Sequence, residues 1–279
     1  MNLYTINTGY FKLDGGAMFG VVPKSIWQKL NEPDENNMCS WALRCLLIED
    51  GNRLILVDNG MGDKQDEKFF SYYFMYGDDT LEKSISKHGF QKSDITDVFL
   101  THLHFDHCGG SIEKIGDKLL PSFKNATFWC NENHWQWATE PNDREKASFL
   151  KENILPIRES GQLKFVDVKD GVDFSENIKV RFMFGHTEAM MLPQINYKGK
   201  TIVYVTDLLP SIAHIPLPYI MGYDVRPLET LKEKRAFLTE AQQNDYILFF
   251  EHDPVSECCS LQMTERGIRS KDTFNLGDI

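Results

Sequence analysis

The chain has 279 residues, 41 of them acidic and 30 basic, giving a formal net charge of -11, and 42% are hydrophobic. That length supports one α/β domain with a sizeable core, and the acidic balance argues against phosphate-backbone partners such as DNA or RNA. No apolar stretch approaches the length needed to span a bilayer, and the opening residues Met1 to Ile6 lack the charged and apolar regions of an export signal. The six cysteines, at 39, 45, 108, 130, 258 and 259, show no paired spacing. These features predict a single domain over residues 1–279, reduced thiols and a cytoplasmic location.

In chain order, Leu54-Ile-Leu-Val-Asp58 reads as a strand that ends on an acid, with Asp58-Asn-Gly60 as a turn signal. Phe69-Phe-Ser-Tyr-Tyr-Phe-Met-Tyr76 is unusually aromatic and follows the charged stretch 62–68. Such a run serves as a lid or an acyl-chain wall, or it packs into the core or against a second copy of the chain. Thr80 to His88, with Gly89 as a C-cap, predicts a helix, and Asn131 to Glu140 and Asp143 to Asn153 predict two more. Pro227 to Asn244 is the longest helix candidate, with Leu228, Leu231, Phe237, Leu238 and Ala241 available for its buried stripe.

Between the first two helices, a strand-like run from Ile95 to Leu100 leads into Thr101-His-Leu-His-Phe-Asp-His-Cys-Gly-Gly110. Imidazole nitrogen and carboxylate oxygen are ligands that zinc accepts, and iron, manganese and cobalt take the same donors with less selectivity. In an extended segment His102 and His104 project to one side and can share a cation. Asp106 and His107 stand where Gly109 and Gly110 allow backbone angles that other residues avoid, so this pair can face a second cation. Three later strand-like runs each deliver a further ligand type at the C-terminal end: 178–184 leads into His186, 201–206 into Asp207, and 246–250 into His252. Cys108, His88 and His134 read as ordinary packing or solvent-facing residues.

Taken together, the Asp58 strand end, His102-x-His104-x-Asp106-His107, Gly185-His186-Thr187, Asp207 and His252 resemble the metallo-β-lactamase fold superfamily over nearly the whole chain. The resemblance implies a four-layer αββα sandwich and two divalent metal ions, foremost Zn2+. It implies that His102, His104 and His186 hold the first ion, that Asp106, His107 and His252 hold the second, and that Asp207 bridges both. It also makes Asp58 an acid that orients a histidine ligand. The chain departs from the family pattern where Glu188-Ala-Met190 replaces the common Pro-Gly-His and where Asn59 replaces a common Thr.

The chemistry implied is hydrolysis. Coordination lowers the pKa of water from about 15.7 to roughly 7, which provides a hydroxide at neutral pH, and the same charge stabilises the oxyanion formed on a carbonyl. Asp106 is the candidate to carry the proton to the leaving oxygen. Residues 13–24 with Trp27, and residues 206–218, resemble the N-acyl-homoserine lactonase branch, its YtnP-like members above all. That resemblance places Met18 and Phe19 near the active-site entrance and His214 close to the metals. It implies a small-molecule substrate with an apolar acyl part, and it is compatible with a homodimer. A phosphotriesterase or other esterase on the same site, or a mono-iron persulfide dioxygenase, is the alternative.

Overall fold

The computed structural model describes residues 1–279, and its contacts cluster into two compact units, Met1–Gly9 with Leu43–Lys169, and Tyr10–Ala42 with Asp170–Ile279. Strands of the first unit are the leading part of β1 (Asn2–Asp14), the later part of β2 (Met38–Asp50), β3 (Arg53–Val57), β4 (Asp97–Phe99), the separate hairpin β5 (Ile112–Ile115) and β6 (Lys118–Pro121), then β7 (Thr127–Cys130) and β8 (Leu163–Phe165). Their main sheet runs β1-β2-β3-β4-β7-β8. From β3 through β4 and β7 to β8 the pairing is parallel. Parallel strands buried on both faces read as continuous apolar runs, which is why Leu54 to Val57 and Val98 to Leu100 carry no alternation. Leu54, Leu56, Val98, Leu100 and Phe128 share one core with Trp135, Ile154 and Ile157.

Helices in this unit are α3 (Glu67–Ser71), α4 (Leu81–Lys87), α5 (Phe105–Cys108), α6 (Glu132–Thr139) and α7 (Lys151–Glu159), while the short α1 (Gly15–Phe19) and α2 (Lys24–Trp27) earlier in the chain belong to the second unit. Two sit where their caps predict. The Thr80 side chain accepts the Lys83 N–H at the start of α4, with Gly89 in the left-handed region beyond its end. The Asn131 side chain accepts the His134 N–H at the start of α6. The helix expected over 143–153 is corrected: residues 143–148 form turns and the helix begins at Lys151. It continues through Pro156, whose absent N–H and ring are normally helix-breaking. The turns instead carry Glu145, buried, to Trp137, Asn142 and His104.

The second unit holds a seven-stranded sheet in the order β15-β14-β13-β12-β11-β10-β9. Its strands are β9 (Val172–Ser175), β10 (Ile178–Met183), β11 (Met190–Tyr197), β12 (Lys200–Tyr204), β13 (Ile247–Phe249), β14 (Cys258–Thr264) and β15 (Gly267–Phe274). All neighbours pair antiparallel except β12 with β13. The long helix α8 (Pro227–Gln243) packs Phe237, Leu238 and Ala241 against Val203, Leu248, Phe250 and Cys259. The predicted stripe needs one correction: Leu228 is 81% exposed, while Thr230 and Lys234 are buried. Lys234 reaches that position because its Nζ donates to the carbonyls of Pro216 and Tyr219, at 2.9 and 2.8 Å, which satisfies a group otherwise costly to bury. All six cysteines are buried and none is in a disulfide. No helix is long and apolar enough to cross a membrane.

Candidate metal centre

In the first unit the candidate ligand motif starts where β4 stops. Residues 101–104 are irregular, and Asp106 and His107 lie on the single helical turn of α5. Gly109 and Gly110 are needed here for space and not for unusual backbone angles, which corrects the expectation from sequence. Gly109 has φ near -62, and a Cβ on it would come 2.0 Å from the Met61 carbonyl oxygen, while one on Gly110 would come 2.3 Å from that of Asn59. The loop after β3 is thereby pressed against the end of the motif.

Hydrogen-bond partners fix which nitrogen of each ring carries hydrogen. Thr101 donates its hydroxyl to Asp58 Oδ2 at 2.6 Å, so its oxygen accepts from His102 Nδ1 at 3.1 Å and leaves Nε2 as the lone-pair nitrogen. His104 directs Nε2 toward Glu145 Oε1 at 3.4 Å, which makes Nδ1 its lone-pair nitrogen. These two nitrogens face each other across 3.1 Å. His107 turns Nδ1 to Asp58 Oδ2 at 3.1 Å and Nε2 toward Asp106 Oδ2 at 3.8 Å. Asp58 itself is fully buried with φ of 54, accepts the Thr101 N–H at 2.8 Å as well, and so does more than form a turn.

The second unit repeats the pattern on three strand ends. His186, after β10, directs Nδ1 to Asp224 Oδ1 at 2.8 Å, and His252, after β13, directs Nδ1 to the Ala42 carbonyl at 2.8 Å. Their Nε2 atoms then face the two oxygens of Asp207, after β12: His186 to Oδ2 at 3.1 Å and His252 to Oδ1 at 3.2 Å. Thr206, immediately before, has φ of 39, an uncommon backbone state for a β-branched residue.

Lone pairs opposed at these distances repel unless a proton or a cation lies between them. Two ligand atoms at about 2.0–2.1 Å from one tetrahedral zinc lie roughly 3.3 Å apart, close to the observed spacings, so the donor sets fit divalent cations. Burial works against a charged His186 ring, but Asp207 and Asp224 outweigh it and raise the pKa to about 10, which marks how strongly these two carboxylates favour positive charge at this position.

The family model for the metallo-beta-lactamase superfamily matches residues 44–252, a span that runs from β2 to the last of these histidines. The chain belongs to the metallo-beta-lactamase superfamily. Among solved structures, a probable metal-dependent hydrolase from Staphylococcus aureus superposes with a TM-score of 0.89 at 25% identity, covering 98% of this chain and 96% of that one. The dizinc quorum-quenching lactonase AidC, solved with a product, gives 0.81 at 22% identity over 98% and 94%. An N-acyl homoserine lactonase from Bacillus cereus is 23% identical over 61% of this chain and 64% of its own length. The chain thus spans less than two-thirds of the curated relatives it matches.

Within this superfamily member, His214 is buried with both ring nitrogens engaged, Nδ1 with Ser211 Oγ at 2.8 Å and Nε2 with the Met18 carbonyl at 3.0 Å. Burial lowers its pKa to about 3, so the neutral ring serves as a strut. It stacks on Phe19 at 4.7 Å, and Phe19 stacks on Trp27 at 5.3 Å. Met18 and Phe19 are themselves buried, and Val21 is the exposed member of that segment. The aromatic run is no core segment: Phe69 and Tyr73 pack on Phe105, while Tyr72, Phe74 and Tyr76 are exposed.

Sequence reasoning missed several residues around the ligands. His134 is fully buried, and its Nε2 accepts the Leu103 N–H at 2.8 Å. Asp224, Glu145 and the Ala42 carbonyl orient histidines from positions with no motif around them. A clamp on the His186 strap also came unannounced: Glu233 accepts the Phe184 and Gly185 N–H groups at 2.7 and 3.0 Å, and Arg226 donates to the Phe184 carbonyl and to Glu188.

Proposed function

We propose that the protein is a cytoplasmic hydrolase with two divalent metal ions that opens N-acyl-homoserine lactones. The observation that carries this reading is the set of five histidines whose hydrogen-bond partners turn their lone-pair nitrogens onto one another or onto Asp106 and Asp207. In the order the family uses them, His102, His104 and His186 would hold one ion, Asp106, His107 and His252 the other, and Asp207 both. Zinc suits this imidazole and carboxylate donor set, and iron, manganese or cobalt would accept it. When bound, such ions supply Lewis acidity toward an ester carbonyl and bring the pKa of water toward neutrality.

The chain's own residues do the rest. Asp58, Glu145, Asp224 and the Ala42 carbonyl hold the rings in the tautomer that presents a lone pair. Asp106 accepts a proton from the attacking water and passes it to the ring oxygen as the acyl C–O bond breaks, leaving a free hydroxyl and a carboxylate. Phe69 and Tyr73, packed on the buried Phe105, offer an apolar wall to an acyl chain. The lactone substrate is supported by the likeness to the Bacillus cereus lactonase and to AidC.

Purified protein assayed on short- and long-chain acyl-homoserine lactones, before and after chelation, tests the proposal. Chelator-sensitive ring opening is expected. Two metal ions per chain without lactone turnover would move the substrate to phosphotriesters or other esters, and a single iron with thiol-persulfide oxidation would replace the hydrolase with a dioxygenase.

A further inference from the structure

A cavity of about 450 Å³ in the second unit lies between α8, the segment after His214 and the β14–β15 hairpin. That volume falls within the range of about 300–1,000 Å³ typical of small-molecule sites. Its lining has two characters. Ile215, Leu238 and Ile268 are among its apolar lining residues, with Ile215 and Leu238 nearly fully buried beneath it, and Arg235, Arg266 and Arg269 line it as well. Elsewhere in this acidic chain, Arg53, Arg181 and Arg226 each pair with a carboxylate at 2.7–2.9 Å. No carboxylate is among the residues lining this cleft, and none of its three arginines has an ion-pair partner. Arg269 spends one N–H on the Ile268 carbonyl at 2.6 Å, which holds its head beside that residue. Arginines without a carboxylate partner leave their charge to be met by solvent or by an anion, and guanidinium forks suit a carboxylate in particular.

We propose that this cleft is a second ligand site, for an amphiphilic carboxylate whose head lies among Arg235, Arg266 and Arg269 and whose unbranched chain lies on Ile215, Leu238 and Ile268. An apolar lining gives nothing to inorganic phosphate, and a concave cleft takes one chain where a lipid surface would need a convex or flat face. The site stands independently of the hydrolase proposal, because it uses none of the metal-ligating residues.

The test is titration of the full-length protein with decanoate below its micellar concentration, followed by the methyl resonances of Ile215, Ile268 and Met263. Met263 lines the same cleft and is 59% exposed, so Met263→Glu places a carboxylate there at little risk to folding. Saturable shifts at these methyls are expected, with affinity at least tenfold weaker for decanol, for phosphate, for the Arg235→Gln/Arg269→Gln variant and for Met263→Glu. Lactone turnover in both variants should stay at the wild-type level. Equal binding of decanol or of phosphate, unchanged affinity in both variants, or binding to phosphatidylglycerol vesicles without binding of free decanoate would each overturn the assignment.

Discussion

His134, on α6, accepts the N–H of Leu103 through Nε2 at 2.8 Å, and so anchors the one residue that separates His102 from His104. The ring is fully buried, and the backbone N–H of His134 donates to the Asn131 side chain at the start of α6. His134→Ala would leave the Leu103 N–H buried without its acceptor, a loss of about 1–3 kcal/mol, and would free the backbone that spaces the two ligand histidines. Denaturant unfolding should show that loss, and a metal-chelator competition should show weaker retention. Unchanged retention alongside lowered stability would confine His134 to a structural role.

Asp58→Asn probes orientation more cleanly. Asparagine tolerates the left-handed backbone at φ of 54 as aspartate does, so the turn should survive. What changes is the acceptor that faces His107 Nδ1 and the Thr101 hydroxyl. Metal affinity should fall by about 10–100-fold, measured by competition, with circular dichroism unchanged.

Asp106→Asn is expected to lower kcat more than it raises KM, since the proton transfer assigned to this carboxylate belongs to the transition state. A change in KM alone, with metal content retained, would refute that assignment.

The fold and the candidate ligands were legible where a local signal carried them. Thr80 with Gly89, and Asn131, marked helix ends through their own side-chain and backbone chemistry. His186, Asp207 and His252 were readable as candidates because each follows a β-branched or aromatic run that reads as a strand. What stayed hidden depends on distant partners. Nothing near Glu145 announces that residues 143–148 turn to bring it to His104, and nothing near Lys234 signals that two loop carbonyls will accept its ammonium. Gly109 and Gly110 were read for freedom of angle, yet the close approach of the 59–61 loop, 48 or more residues earlier in the chain, is what excludes a side chain. The aromatic run at 69–76 is only partly buried, because its partner is Phe105 and not the main core.

Lys234 gives a pH prediction. Burial lowers its pKa from 10.5 to about 7. Between those values the unfolded chain binds a proton that the folded chain does not, so stability attributable to this residue rises with pH across the window. Compared with Lys234→Met, the wild type should gain about 1 kcal/mol or more between pH 7 and pH 9 in denaturant unfolding. A difference that stays flat or reverses with pH would contradict the buried, depressed state of this lysine.

The opposed lone pairs of these histidines and acids, read as cation sites, can be tested by direct metal counting. The measurement is the metal content of purified wild-type protein and of Asp207→Ala, counted per chain after exhaustive dialysis. About two divalent ions in the wild type, the dinuclear stoichiometry, with loss of at least one in the variant, is the predicted result. A wild type that holds no metal after reconstitution with zinc, or a variant that retains the full complement, would contradict it.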